Sequence, residues 1–138
     1  MPEAMKQRPG TMRLVDALQY RLPLAGVVSI LHRASGLVLF MLMPFIVWMF
    51  DASLTSEITY GQFVSVFSNG VGWFGGWFVK LVALALIWAY LHHFLAGLRH
   101  LWMDATHAVT REFGHQSAVA TLALSALLTL ALGYKLFF

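Results

Sequence analysis

Three apolar runs without Asp, Glu, Lys or Arg, at residues 34–50, 81–98 and 116–134, constrain this chain of 138 residues more than any other feature. A hydrocarbon core ~30 Å thick is crossed by about 20 helical residues, and a backbone in lipid must satisfy its own N–H and C=O groups. Each run with its polar fringe therefore fits one membrane-spanning helix. Hydrophobic residues make up 59% of the sequence and charged ones 11%, with a mean hydropathy of +0.73, which excludes an ordinary soluble domain. The expected architecture is all-α and integral to the membrane, one domain over 1–138. It divides into an N-terminal segment 1–23, a first transmembrane helix 24–50, an outer loop 51–78, a second helix 79–103, a loop 104–115 and a third helix 116–136.

The first apolar run follows a long polar stretch and lacks a small-residue cleavage site at its end, so it is expected to stay as a helix. A fourth uncharged stretch, Ile58 to Val79, contains Gly61, Asn69, Gly70, Gly72, Gly75 and Gly76, which disfavours a continuous helix. It reads as a connection along the membrane surface, with Trp73 and Trp77 in the interfacial belt.

Basic residues set the orientation. Lys6, Arg8, Arg13, Arg21 and Arg33 precede or open the first span, and Arg99 and Arg111 bracket the loop after the second. The connection between the first two spans has Asp51 and Glu57 before Lys80, and the C-terminal end has only Lys135. By the positive-inside rule, the N-terminus and the loop after the second span face the cytoplasm or mitochondrial matrix, and the C-terminus lies outside. A bacterial inner (cytoplasmic) membrane is the expected location. The sequence pI near 9.6 follows from the same asymmetry, so lipid and not nucleic acid is the expected surface partner. No cysteine is present, which excludes disulfides, thiolate metal sites and an iron–sulfur cluster carried by this chain alone.

Histidines stand where apolar sequence makes them expensive. In the run Tyr90-Leu-His-His-Phe-Leu-Ala-Gly-Leu-Arg-His-Leu-Trp-Met-Asp104, an imidazole at lipid depth needs a partner. His93, Gly97 and His100, at i, i+4 and i+7, share one helical face that offers a nitrogen ligand, a gap for a flat bulky group and a polar group one turn on. A haem edge-on to the helix uses all three; a hydrogen-bonded packing role is the alternative. Low-spin haem iron takes two strong axial ligands, so a second chain or a second copy must bring the other histidine.

In the first span, which opens after Pro23, residues Ser29, His32, Arg33 and Gly36 fall at i, i+3, i+4 and i+7. Arg33, at the cytoplasmic edge, can meet an anion at headgroup depth. Ser29 reads as a hydroxyl near the helix start or as a donor to a ligand. His32 and His100 read as snorkelling interfacial side chains or as contacts to haem, and Asp104 as a solvated acid or a partner for Arg99 or His100. Pro44 predicts a kink in the outer half of the first span. Ser117, Thr121, Ser125, Thr129 and Gly133 recur every four residues in the third, a stripe suited to close helix packing.

Ser29-Ile-Leu-His-Arg-Ala-Ser-Gly36 followed by His93-x-x-x-Gly97-x-Arg99-His100-Leu101-x-x-Asp104 resembles the cytochrome b556 membrane-anchor subunits of succinate dehydrogenase, respiratory complex II. The resemblance covers almost the whole chain, and the two motifs together are far more specific than either alone. It implies three transmembrane helices forming half of a heterodimeric haem-binding bundle. A second hydrophobic anchor subunit would supply the other axial histidine to one haem b. An iron–sulfur subunit and a flavoprotein subunit would dock on the cytoplasmic or matrix side. By motif, His93 resembles the axial ligand of the haem iron, with Gly97 beside it. His32, Arg33 and His100 match positions near the haem propionates, while Ser29 and Arg33 match quinone-site positions. His92 departs from the family's single-histidine pattern; Gly97, four residues beyond His93, favours His93.

The implied activity is that of a subunit of succinate dehydrogenase (quinone), binding ubiquinone or a related quinone where electrons leave a neighbouring iron–sulfur cluster. Succinate oxidation itself is not expected on this chain, which has no flavin-binding motif and no soluble domain to hold a dicarboxylate. Quinone reduction puts negative charge on a carbonyl oxygen, which a Ser29 hydroxyl and the Arg33 cation would stabilise. A haem-free structural anchor and the anchor of a fumarate reductase-type complex are the alternatives. A separate di-haem cytochrome b would need about two ligand histidines on each of two helices, and only the second span has deep ones.

Overall fold

Long apolar sequence becomes long helix: α2 runs over Leu24–Thr55, α4 over Gly76–Thr106 and α5 over Arg111–Phe137, with the shorter α1, Leu14–Gln19, and α3, Glu57–Asn69, completing the order. This computed structural model describes residues 10, 11 and 13–138, so Lys6 and Arg8 lie outside the described residues. The three long helices are each long and apolar enough to cross a membrane. The chain is an all-α membrane protein; among the described residues the sole extended pairing is an isolated bridge between Val71 and Phe74.

The long helices reach beyond 24–50, 79–103 and 116–136, because a helix need not stop where the hydrocarbon does; its polar fringe continues the ladder until a cap intervenes. At one such end His107 closes α4 in the left-handed region (φ 55). At another, the Thr110 side chain accepts from Phe113 N–H to open α5. Pro44 sits inside α2 without dividing it.

The connection expected to lack a continuous helix contains α3. Ser56 and Thr59 form a reciprocal capping box that supplies two of the otherwise orphaned donors. Gly61 meets nothing within 4 Å, so its only cost is propensity. The break comes at the later glycines. Gly70 turns the chain at φ 85, and Gly76 presses against the Phe67 and Ser68 carbonyls, where a Cβ has no room. Trp73 and Trp77 project from this junction and are fully or largely exposed.

Helix α4 is central, packing against α5, α2 and α3, while α2 also touches α5 and α3. Small residues make these contacts: Val28, Ala96 and Ala118 form the buried cluster, with Ala25 and Leu122 against it. The α5 stripe faces inward through Thr121, Ser125, Thr129 and Gly133. Its hydroxyls cost little there, because Thr121 donates to the Ser117 carbonyl, Ser125 to Leu122 and Thr129 to Ser125, at 2.7–3.1 Å. Large apolar side chains point outward, among them Phe40, Met41, Trp48 and Leu127. Such a surface suits lipid or another hydrophobic chain, and would aggregate in water.

Candidate functional site

Helices α2 and α4 approach closely at Gly36, where a Cβ would come within 2.7 Å of His93 Cε1. His93 Nδ1 lies 3.0 Å from the backbone carbonyl of His32 and 3.4 Å from Ser35 Oγ. A carbonyl only accepts, so Nδ1 carries the proton and donates, and the Nε2 lone pair stays uncommitted. The His32 ring stacks on the His93 ring with centroids 4.1 Å apart and planes 7° from parallel. His100 meets His32 edge-on at 5.2 Å. His32 Nε2 is buried without a hydrogen-bond partner, and a Cβ at Gly97 would stand 3.5 Å from it.

The two glycines are bare for different reasons. Gly36 makes room for the chain's own His93. At Gly97 a Cβ would make only ordinary van der Waals contact, with His32 Nε2. These features fit a haem. Metal-bound histidines characteristically donate their other ring N–H to a carbonyl or carboxylate, which fixes tautomer and orientation. The half-buried His93 lines neither a 430 Å³ apolar cleft between α2 and α4, around Phe45 and Ile87, nor a 500 Å³ one beside Arg99 and Arg111.

His92 points elsewhere. It is fully buried, stacks on Trp88 at 5.2 Å and places Nδ1 3.5 Å from Ser125 Oγ on α5. One residue rotates a helical side chain by roughly 100°, enough to send adjacent imidazoles to different neighbours. Ser29 is half-buried and Arg33 exposed, and neither side chain makes a hydrogen bond among the described residues. The structure thus gathers His32, Gly36, His93, Gly97 and His100, and leaves Ser29 and Arg33 on the same helix as His32 with their polar groups uncommitted.

Two contributors escape the spacing rules. Ser35 lies inside the quoted motif yet is conspicuous only once its hydroxyl is seen between His32 and His93. Arg99, nine-tenths buried, donates through Nε to Ser117 Oγ at 2.9 Å and through Nη2 to the Gly114 carbonyl at 3.2 Å. Its partners are neutral groups on α5, not Asp104, so its role here is to tie α4 to α5; hydrogen bonds from a charged group contribute about 1.5–3 kcal/mol each.

Residues 6–132 match the family described as succinate dehydrogenase/fumarate reductase transmembrane subunit. The chain belongs to this family. The matched region takes in both histidine-bearing helices and most of the α5 stripe, so membership and site rest on the same part of the molecule. A succinate dehydrogenase cytochrome b556 subunit from Paracoccus denitrificans is 36% identical over 109 residues, 79% of this chain and 78% of the relative. The Coxiella burnetii protein of the same name is 33% identical over 91 residues, 65% of this chain and 67% of its own. That of Rickettsia felis is 26% identical over 113 residues, 82% of each. Family membership makes the chain a membrane subunit of an oxidoreductase complex.

Proposed function

We propose that this chain is the haem b-holding half of the membrane anchor of a succinate:quinone oxidoreductase, with His93 as an axial ligand. The observation that carries the reading is the His93 ring itself, anchored through Nδ1 to the His32 carbonyl and free at Nε2. The names of the relatives, each a cytochrome b556 subunit, support the choice of haem. Haem b, when bound, supplies a one-electron store close to the quinone. A second hydrophobic anchor subunit brings the other axial histidine, and iron–sulfur and flavoprotein subunits carry electrons from succinate to the membrane. His32 stacks on His93 and His100 lies about two helical turns further along α4, edge-on to His32; their ring nitrogens, together with Arg33, would meet the propionate oxygens of a bound haem.

Ubiquinone or a related quinone takes up two electrons and two protons at the cytoplasmic edge. Ser29 donates to the carbonyl oxygen on which negative charge builds, and Arg33, whose guanidinium is uncommitted, stabilises that charge in a medium of low dielectric. Ser29→Ala is expected to cost about 1–3 kcal/mol in quinone-site function, the size of a lost buried hydrogen bond. Arg33→Leu is expected to cost more. The measurement is a ratio: quinone reductase activity falls while succinate oxidation with an artificial acceptor upstream persists in the assembled complex. Equal loss of both activities assigns these residues to assembly.

The packing of His32 against both imidazoles, stacked on His93 and edge-on to His100, favours one rival, a haem-free anchor in which the imidazoles only pack. A reduced-minus-oxidised visible spectrum of the purified complex separates the two, since only the haem-holding anchor gives a b-type band. Sidedness follows from the basic residues, with the N-terminus and the α4–α5 loop cytoplasmic in a bacterial inner membrane. A cysteine introduced at Thr110 should be shielded from an impermeant thiol reagent in right-side-out vesicles, and one at Ser56 should label; the reverse pattern inverts the topology.

A further inference from the structure

We infer that Ser35 is a positioning residue for the His93 imidazole, setting the plane of its ring and the electron density at Nε2; this rests on His93 being the axial ligand. Ser35 lies three residues after His32 on α2 and is 2% exposed. Its hydroxyl donates to the His32 carbonyl at 3.0 Å, and the same carbonyl accepts from His93 Nδ1 at 3.0 Å. With its proton given to the carbonyl, Ser35 Oγ has only lone pairs to offer Nδ1, 3.4 Å away. The Nδ1–H is thus shared between two oxygens that are themselves bonded to each other. Turning the ring about its Cβ–Cγ bond breaks alignment with both. Gly36 bounds one edge of the ring and His32 covers one face, so the hydroxyl completes a three-sided mount.

A serine that only satisfied its own helix would not need this neighbour. Ser53 and Ser65 make the same bond to the carbonyl three residues back on exposed faces, and neither reaches across to another helix. Ser35 does both. Hydrogen bonding at the far nitrogen of a ligating imidazole raises its basicity, which favours the oxidised iron, and fixes the ring plane. Ser35→Ala therefore retains the haem, shifts its midpoint potential upward and changes the anisotropy of its low-spin ferric EPR signal.

The test uses the purified complex carrying Ser35→Ala, Ser35→Thr or His93→Leu, with potentiometric titration of the b-type band and EPR of the oxidised haem. The expected result is an upward shift and an altered EPR signal in Ser35→Ala, both returned towards the unsubstituted values by Ser35→Thr, which restores a hydroxyl. A downward or absent shift with an unchanged EPR signal, or loss of the assembled complex in Ser35→Ala, overturns the inference and makes Ser35 a filler of the helix interface. Retention of haem in His93→Leu defeats the ligand assignment itself. Loss of haem there, beside an unmoved Ser35→Ala, defeats the positioning role alone.

Discussion

His93→Leu is expected to remove the b-type absorption band of the purified complex, and His92→Leu to leave it in place. The two histidines are adjacent in sequence and differ in what surrounds them. His93 is half-buried, tethered through Nδ1 to the His32 carbonyl, and offers Nε2 with no bond to spend inside the chain. If His93 ligates as proposed, leucine there removes the axial nitrogen from this side, and low-spin haem b needs two strong axial ligands. His92 is sealed between Trp88 and Ser125, with its Nε2 buried and unpartnered. Leucine fills a similar volume there and removes an unsatisfied polar atom, so His92→Leu should change stability by no more than about 1–2 kcal/mol in either direction. The spectrum per mole of assembled complex decides. A band lost in His92→Leu and kept in His93→Leu would reverse the ligand assignment.

Gly36→Val is expected to produce the second large effect, although residue 36 carries no chemistry. A Cβ at this position would lie 2.7 Å from His93 Cε1 and 3.1 Å from its Nδ1, distances at which the ring has to move. The stacked His32 ring and the Nδ1 tether resist that movement. Overpacking of a tight contact costs about 1–3 kcal/mol, which corresponds to about 5- to 150-fold in haem occupancy if the strain falls on the ligand geometry. Gly61→Val on α3 is the matched control, because nothing lies within 4 Å of a Cβ there. Haem per assembled complex should fall in the first variant and hold in the second. Equal behaviour of the two would mean that the α2–α4 approach at Gly36 has no bearing on the ligand.

Much of the molecule follows from local rules. The three spans are legible because lipid requires about 20 apolar residues in continuous helix, a demand that composition alone expresses. The shared face of His93, Gly97 and His100 follows from helical arithmetic, as does the inward stripe of α5. The connection between α2 and α4 is less legible, because the propensity cost of a glycine is too small by itself to forbid a helix. Gly61 is tolerated inside α3 while Gly70 and Gly76 are required by a turn and a close backbone approach. The capping box at Ser56 and Thr59 was the local signal for α3.

What sequence alone determined is thus the number of membrane-spanning helices and which residues on each helix move together as a face. What only the tertiary structure decided is the rotation of each helix about its axis. That angle assigns His92 to α5 and His93 to α2, brings the His32 carbonyl and Ser35 hydroxyl to Nδ1, and turns Arg99 into a tie to α5. Periodicity is unchanged by rotating a whole helix, and in lipid the apolar surface is nearly uniform around each span. The angle is instead set by where small residues let two backbones approach, at Gly36 against His93 and along Thr121, Ser125, Thr129 and Gly133. Those are contacts between distant parts of the chain, and they exist only once the helices have packed.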